Sequence, residues 1–190
     1  MLSRRDVLMG GLATLGVPWL PAAAHQATSA AQLVGMNVEL PPGEIHVDPD
    51  AFALYWTLAD RTAVRFPCGV GKPGLYVPGT FHVGDKKEWP RWTPTAAMVE
   101  RDPERYGPYA ETGMDGGPEN PLGARALYLH TPEQGDTLLR IHGTNAPETI
   151  GTAVSNGCAR LLNEHIAELY EVVPLDTRVV LYAQGAQLSG

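Results

Sequence analysis

Residues 51–70 read AFALYWTLADRTAVRFPCGV. Apolar side chains recur at alternate positions, Phe52, Leu54, Trp56 and Leu58, and after a turn near Asp60 and Arg61 the period resumes with Val64, Phe66, Cys68 and Val70. A two-residue period sets one face of an extended chain on a core and the other toward water, so this stretch predicts a β-hairpin. Further strands are expected from ARALYLH (124–130), TLLRIHG (137–143) and residues 178–182. One segment changes period: Ile166, Leu169, Tyr170 and Val173 recur at helical spacing, with Asn163 as the expected cap and Pro174 as the stop. Residues 71–123 are crowded with glycine, proline and tryptophan and read as a long irregular region, with one helical turn around Ala96–Arg101. The expectation is a mainly β domain of mixed strands, with one packed α-helix near the C-terminus and long connecting loops.

Composition agrees. The chain has 190 residues, 44% hydrophobic and 18% charged, which suits one compact domain with a single core. Its 21 glycines and 17 prolines are more than a helical bundle tolerates. A formal charge of -7 disfavours bulk electrostatic binding of nucleic acid or anionic lipid, so an anionic ligand must be held by local cations. Two cysteines, far apart, do not make a zinc site.

Residues 1–24 have paired arginines, Arg4 and Arg5, then a short glycine-interrupted apolar run and small residues. That is an export-signal pattern, too short to span a bilayer, and it resembles a twin-arginine signal; an ordinary secretory signal is the alternative. The rest divides into a flexible lead-in at 25–44, a domain at 45–184 and a tail at 185–190. The mature protein is expected in an oxidising compartment, without a transmembrane segment.

Residues 141–163, IHGTNAPETIGTAVSNGCARLLN, concentrate the reactive groups. A thiol with a pKa of about 8.5 is only slightly ionised at neutral pH, so a nucleophilic Cys158 needs a neighbouring base or cation. His142 and Arg160 are the candidates. Gly157 admits a close backbone approach, and the amides there suit a developing oxyanion. Arg160 offers a fork of donors for a carboxylate. These groups together suit acyl transfer onto sulfur.

The same residues resemble the signature of the L,D-transpeptidases of the YkuD family, in which HGT precedes S-x-G-C-x-R. Here these are His142, Gly143, Thr144, Ser155, Gly157, Cys158 and Arg160. The likeness extends to WPRWTP (89–94), GGPENPLGARALYL (116–129) and PLDTRVVLY (174–182). It departs where VPGTF (77–81) is one residue short of the family's usual turn, and where Ala159 follows the cysteine.

The resemblance implies a β-sandwich-like catalytic domain that acts on peptidoglycan stem peptides in the periplasm without a metal or organic cofactor. It implies Cys158 as nucleophile, His142 as base and the Gly143 carbonyl fixing its tautomer. Arg160, Ser155, Gly157 and Thr144 would face substrate. The acceptor would be a stem amine, an outer-membrane lipoprotein lysine or water, and carbapenem-type inhibitors would acylate the thiol. Competing readings are a carboxypeptidase or amide hydrolase of this fold, and a noncatalytic wall-binding module stapled by Cys68–Cys158. Cys68 otherwise reads as a small buried hydrophobe in step with its strand. Trp89 and Trp92 read as groove or packing residues, Arg125 as a site or sheet-edge residue, and His82 as the one other histidine that could face a cleft.

Overall fold

The computed structural model describes residues 30–188. The expected hairpin is formed by β3 (Ala53–Thr57) and β4 (Thr62–Pro67), with Leu54 opposite Phe66 and Trp56 opposite Val64. Asp60 and Arg61 both take positive φ, 56° and 53°, the turn geometry that follows the twist of paired strands. Outside β3 lies β2 (Ile45–Asp48), and outside β4 lies β1 (Gln32–Gly35). The sheet continues from β2 through β11 (Arg178–Leu181), β6 (Gly79–Glu88), β7 (Arg125–Thr131), β8 (Gly135–His142) and β10 (Ala159–Arg160). Two of its pairings are parallel, β11 with β2 and β10 with β8. A separate pair, β5 (Val70–Gly71) with β9 (Ala153–Ser155), completes a mainly β domain of mixed strands.

Three differences from the sequence reading have physical causes. Residues 32–35 fall within the expected flexible lead-in but form β1, whose exposed Leu33 leaves no alternating burial to read. The region read as irregular contains the ten-residue β6, whose inward Phe81 and Val83 are followed by glycine and a charged run. Its ladder shifts between Val83 and Asp85, and a Cβ on Gly84 would come within 2.3 Å of the His130 ring. The short helix α1 (Ala96–Arg101) stands where a helical turn was expected, and α2 (Pro103–Tyr106) follows it.

The third difference concerns Asn163. It is the first residue of α3 (Asn163–Val172), whose N-cap position belongs to Leu162 and has no side-chain hydrogen bond. The Asn163 amide works sideways instead. Its Oδ1 accepts from the backbone N–H groups of Ala124 (3.0 Å) and Thr144 (3.1 Å), and its Nδ2 donates to the Thr144 carbonyl (2.9 Å). A Cβ on Gly143 or Gly123 would come within 2.2 Å of that Oδ1, so both glycines make room for the clasp. Helix α3 buries Ile166 and Leu169 in the core, and its first side chain fixes the turn that leaves β8.

Core and edge should respond differently to truncation. Leu129→Ala, at a fully buried position of β7, should cost about 2–5 kcal/mol in chemical denaturation, whereas Leu33→Ala at the exposed edge should cost about 0.5 kcal/mol or less. Asn163→Ala, which strands three backbone groups, should cost about 1–3 kcal/mol.

Candidate active site

Side chains of a strand alternate faces, and the β8–β10 pairing uses this to collect reactive groups. Arg160 lies opposite His142 and Ala159 opposite Ile141. Ile141, Ala159 and Leu161 are buried in the core, so His142, Arg160 and, one step before the strand, Cys158 turn to the other side. All three line one cavity of about 570 Å³. The segment carrying α1 and α2 forms its opposite wall, including Trp92, Met98, Tyr106 and Tyr109. Backbone hydrogen bonds between Trp92 and Met114 hold that segment, as does the buried Asn120, whose Nδ2 lies near the Pro90, Met114 and Asp115 carbonyls.

Cys158 is presented by a tight turn. The Ser155 hydroxyl donates to the Cys158 carbonyl (2.7 Å) and accepts from the Gly157 N–H (3.2 Å). Gly157 sits at φ +129°, and a Cβ there would come within 2.9 Å of the Leu75 carbonyl oxygen. Only glycine satisfies both demands. Thr144, also in the cavity wall, has its hydroxyl accepting from the Ala146 N–H at 3.0 Å. Ser155 and Thr144, expected to face substrate, both line the cavity, and their hydroxyls also brace the turns that shape it.

His142 is buried, and its Nδ1–H donates to the Gly143 carbonyl at 2.7 Å. That bond leaves Nε2 as the lone-pair nitrogen. Burial pushes the imidazole down to about 4, against the pull of the Gly143 carbonyl, and Arg160 and Arg140 push the same way as burial. Burial also raises the Cys158 thiol above its ordinary range, while the Arg140 backbone and the Arg140 and Arg160 charges favour the thiolate. Thiol and imidazole are therefore both neutral at pH 7, and no hydrogen bond joins them among the described residues.

Arg160 is held through its backbone, exchanging 2.8 Å hydrogen bonds with Gly69 in both directions. Its head is under-used. One Nη2 contact reaches the Thr149 carbonyl at 3.5 Å, and the buried Nε has no partner. Burial lowers its pKa while Cys158 and Glu148 raise it, and a guanidinium stays charged regardless. It is a half-buried cation with an unpaired buried Nε on the floor of a cavity.

The other candidates divide. Trp92 lines the cavity, and Trp89 does not. His82 packs against His130, and Arg125 pairs with Glu88 and faces the Tyr170 ring, so neither faces the cleft. Cys68 is fully buried, with its thiol pushed up to about 12 by that burial. Both cysteines are free, which removes the disulfide staple. Among the described residues no group of three or more His, Cys, Asp or Glu side chains could hold a metal ion, and no helix is long and apolar enough to cross a membrane. The expected export signal at 1–24 lies outside the described residues. Sequence reasoning missed Asn120, Asn156 and Tyr106, which carry no local pattern.

Residues 42–181 match the family model of the L,D-transpeptidase catalytic domain, YkuD. The chain is 41% identical over 127 residues to the probable L,D-transpeptidase YbiS of Escherichia coli K12, covering 66% of this chain and 39% of that protein. It thus spans about two fifths of that relative's length. It is 33% identical over 195 residues to a putative L,D-transpeptidase encoded in the ATP synthase subunits region of Fuscovulum blasticum, covering 94% and 96% of the two chains. Among solved structures it is similar to a Brucella melitensis protein described as a probable carnitine operon oxidoreductase, with 47% identity, a TM-score of 0.55 and coverage of 80% and 93%. Gly69, Gly71 and Gly74 do have the G-x-G-x-x-G spacing of dinucleotide sites. Here, however, the two-residue β5 runs into Pro73 and a turn, with no helix to receive a pyrophosphate. The sequence match extends from β2 to β11 and takes in every residue of the thiol-bearing cavity floor: this chain belongs to the L,D-transpeptidase catalytic domain family.

Proposed function

We propose that the protein is a peptidoglycan L,D-transpeptidase in which Cys158 accepts an acyl group from a donor stem peptide and passes it to an amine. The observation that carries this reading is the cavity floor itself, where Cys158, His142 and Arg160 share one face of the β8–β10 pair and Nδ1 of His142 is already tied down.

Sγ of Cys158 attacks the carbonyl between the diamino acid and the terminal D-alanine, and its proton passes to Nε2 of His142. The developing oxyanion draws on the backbone amide of Cys158, since the Gly157 N–H is already donated to Ser155. As the C–N bond breaks, His142 returns the proton to the departing D-alanine amine, leaving a thioester. An incoming amine then loses its proton to His142 as it attacks that thioester, and the sulfur leaves and is reprotonated. The Gly143 carbonyl stabilises the imidazolium that forms transiently. Arg160 holds a substrate carboxylate or carbonyl with the donors it now leaves unpaired. No metal or organic cofactor takes part. The acceptor is a neighbouring stem's side-chain amine or a lipoprotein lysine, and the site of action is the periplasm, reached through the signal at residues 1–24.

Incubation with a carbapenem should add one inhibitor mass to Cys158, and defined stem tetrapeptides with an amine acceptor should release D-alanine and form the new amide. Cys158→Ala should show neither while melting within a few degrees of the parent. An unreacted but alkylatable Cys158 would overturn the assignment, and D-alanine release without an amide at high acceptor concentration would replace transfer with hydrolysis.

His142→Ala should lower kcat/KM by about 100-fold or more. Because the imidazole works as a base, the rate is present above its pKa and lost below it. The acid limb of kcat/KM should fall near pH 4, where the buried imidazole protonates, instead of near 6.5. A midpoint at the solvent value would show that His142 is not buried in the working enzyme.

A further inference from the structure

Helices α1 and α2, over the cavity, bury no residue of their own. At six and four residues they are far too short to persist unaided. Their position therefore depends on a few polar ties, and one residue supplies two of them. Oδ1 of Asn156 accepts from Nη1 of Arg101 at 2.8 Å, at the end of α1. Its Nδ2 donates to the Tyr106 hydroxyl at 2.9 Å, at the end of α2. Tyr106 in turn packs against Trp92, ring centroids 6.2 Å apart, and both rings line the cavity.

We propose that Asn156 is a positioning residue, a latch that fastens the covering segment to the turn presenting Cys158 and so sets how far that segment opens over the thiol. Asn156 stands between Ser155, whose hydroxyl brackets the turn, and Gly157, whose Cα has no room for a side chain. Its backbone cannot shift without carrying Cys158 along, so the covering segment and the nucleophile are registered to each other. In the closed arrangement the aromatic wall shields the thiol, and in the acyl-transfer reading it shields the thioester from water. The latch rests on that reading only for the identity of the substrate.

Alkylation of Cys158 by iodoacetamide tests this without any substrate. Two hydrogen bonds of ordinary strength favour the latched state roughly tenfold, so Asn156→Ala should alkylate about tenfold faster than the parent. Arg101→Ala/Tyr106→Phe, which leaves the turn untouched, should do the same. Combining all three substitutions should add nothing further, because both ties run through one amide. Asn156→Asp, whose carboxylate can accept from both Arg101 and the Tyr106 hydroxyl, should restore the parent rate. With stem tetrapeptide as donor, Asn156→Ala should lose more in KM than in kcat.

An unchanged alkylation rate in the folded Arg101→Ala/Tyr106→Phe variant would overturn the latch, as would full additivity in the triple variant. Faster alkylation with no turnover of any stem peptide would leave the latch standing and fell the acyl-transfer reading. Turnover with no latch effect would do the reverse.

Discussion

The site depends on the register of the two-residue strand β10 against β8. Parallel pairing of Arg160 with His142 puts Cys158, His142 and Arg160 on one face while Ile141, Ala159 and Leu161 enter the core on the other. A slip of β10 by one residue would drive Arg160 into apolar packing and expose Ala159 and Leu161, an exchange of charged for apolar burial costing several kcal/mol. Two residues of ladder cannot enforce this alone. The backbone exchange with Gly69 holds Arg160 from outside, and the Asn163 clasp fixes the turn leaving β8. Cavity floor and core are thus two sides of one hydrogen-bonded ribbon.

Burial sets the electrostatics of that floor. It pushes the imidazole down and the thiol up, so the resting pair carries no charge. Arg160 adds a fixed charge beside that pair, partly desolvated and short of partners, in a cavity that Arg105, Glu119 and Glu148 also line. A ligand bringing an acceptor to that guanidinium supplies the hydrogen bond that no protein group gives its Nε. On a chain of net charge -7, Arg160 and Arg105 are local cations that, in the proposed reading, would draw an anionic peptide inward.

The sequence disclosed most where order is local. The β3–β4 hairpin, β7, β8 and α3 were legible because their apolar residues repeat within a few positions. β6 was hidden because Gly84 and the charged residues after it break the alternation, although its inward Phe81 and Val83 follow it. β5, β9 and β10 are too short to have a period, and they exist through pairings with distant segments. The family-like motif disclosed the cavity-floor residues, whereas the backbone hydrogen bonds that the Ser155 and Thr144 hydroxyls make in their turns had no signal in the sequence. Asn120, Asn156 and Asn163 were opaque for a common reason. Each is an amide bridging segments that only the folded chain brings together, and the one pattern Asn163 did suggest, a helix cap, is not what it does.

The sealed position of Cys68 has a consequence for oxidative chemistry. A sulfenic acid formed on the half-exposed Cys158 would ordinarily be rescued by a nearby resolving thiolate within the same chain. Cys68 is wholly enclosed and ionises only at about 12, so it cannot serve in that capacity. Recovery of the oxidised sulfur then falls to a reductant outside the chain, with over-oxidation to sulfinic acid as the competing fate.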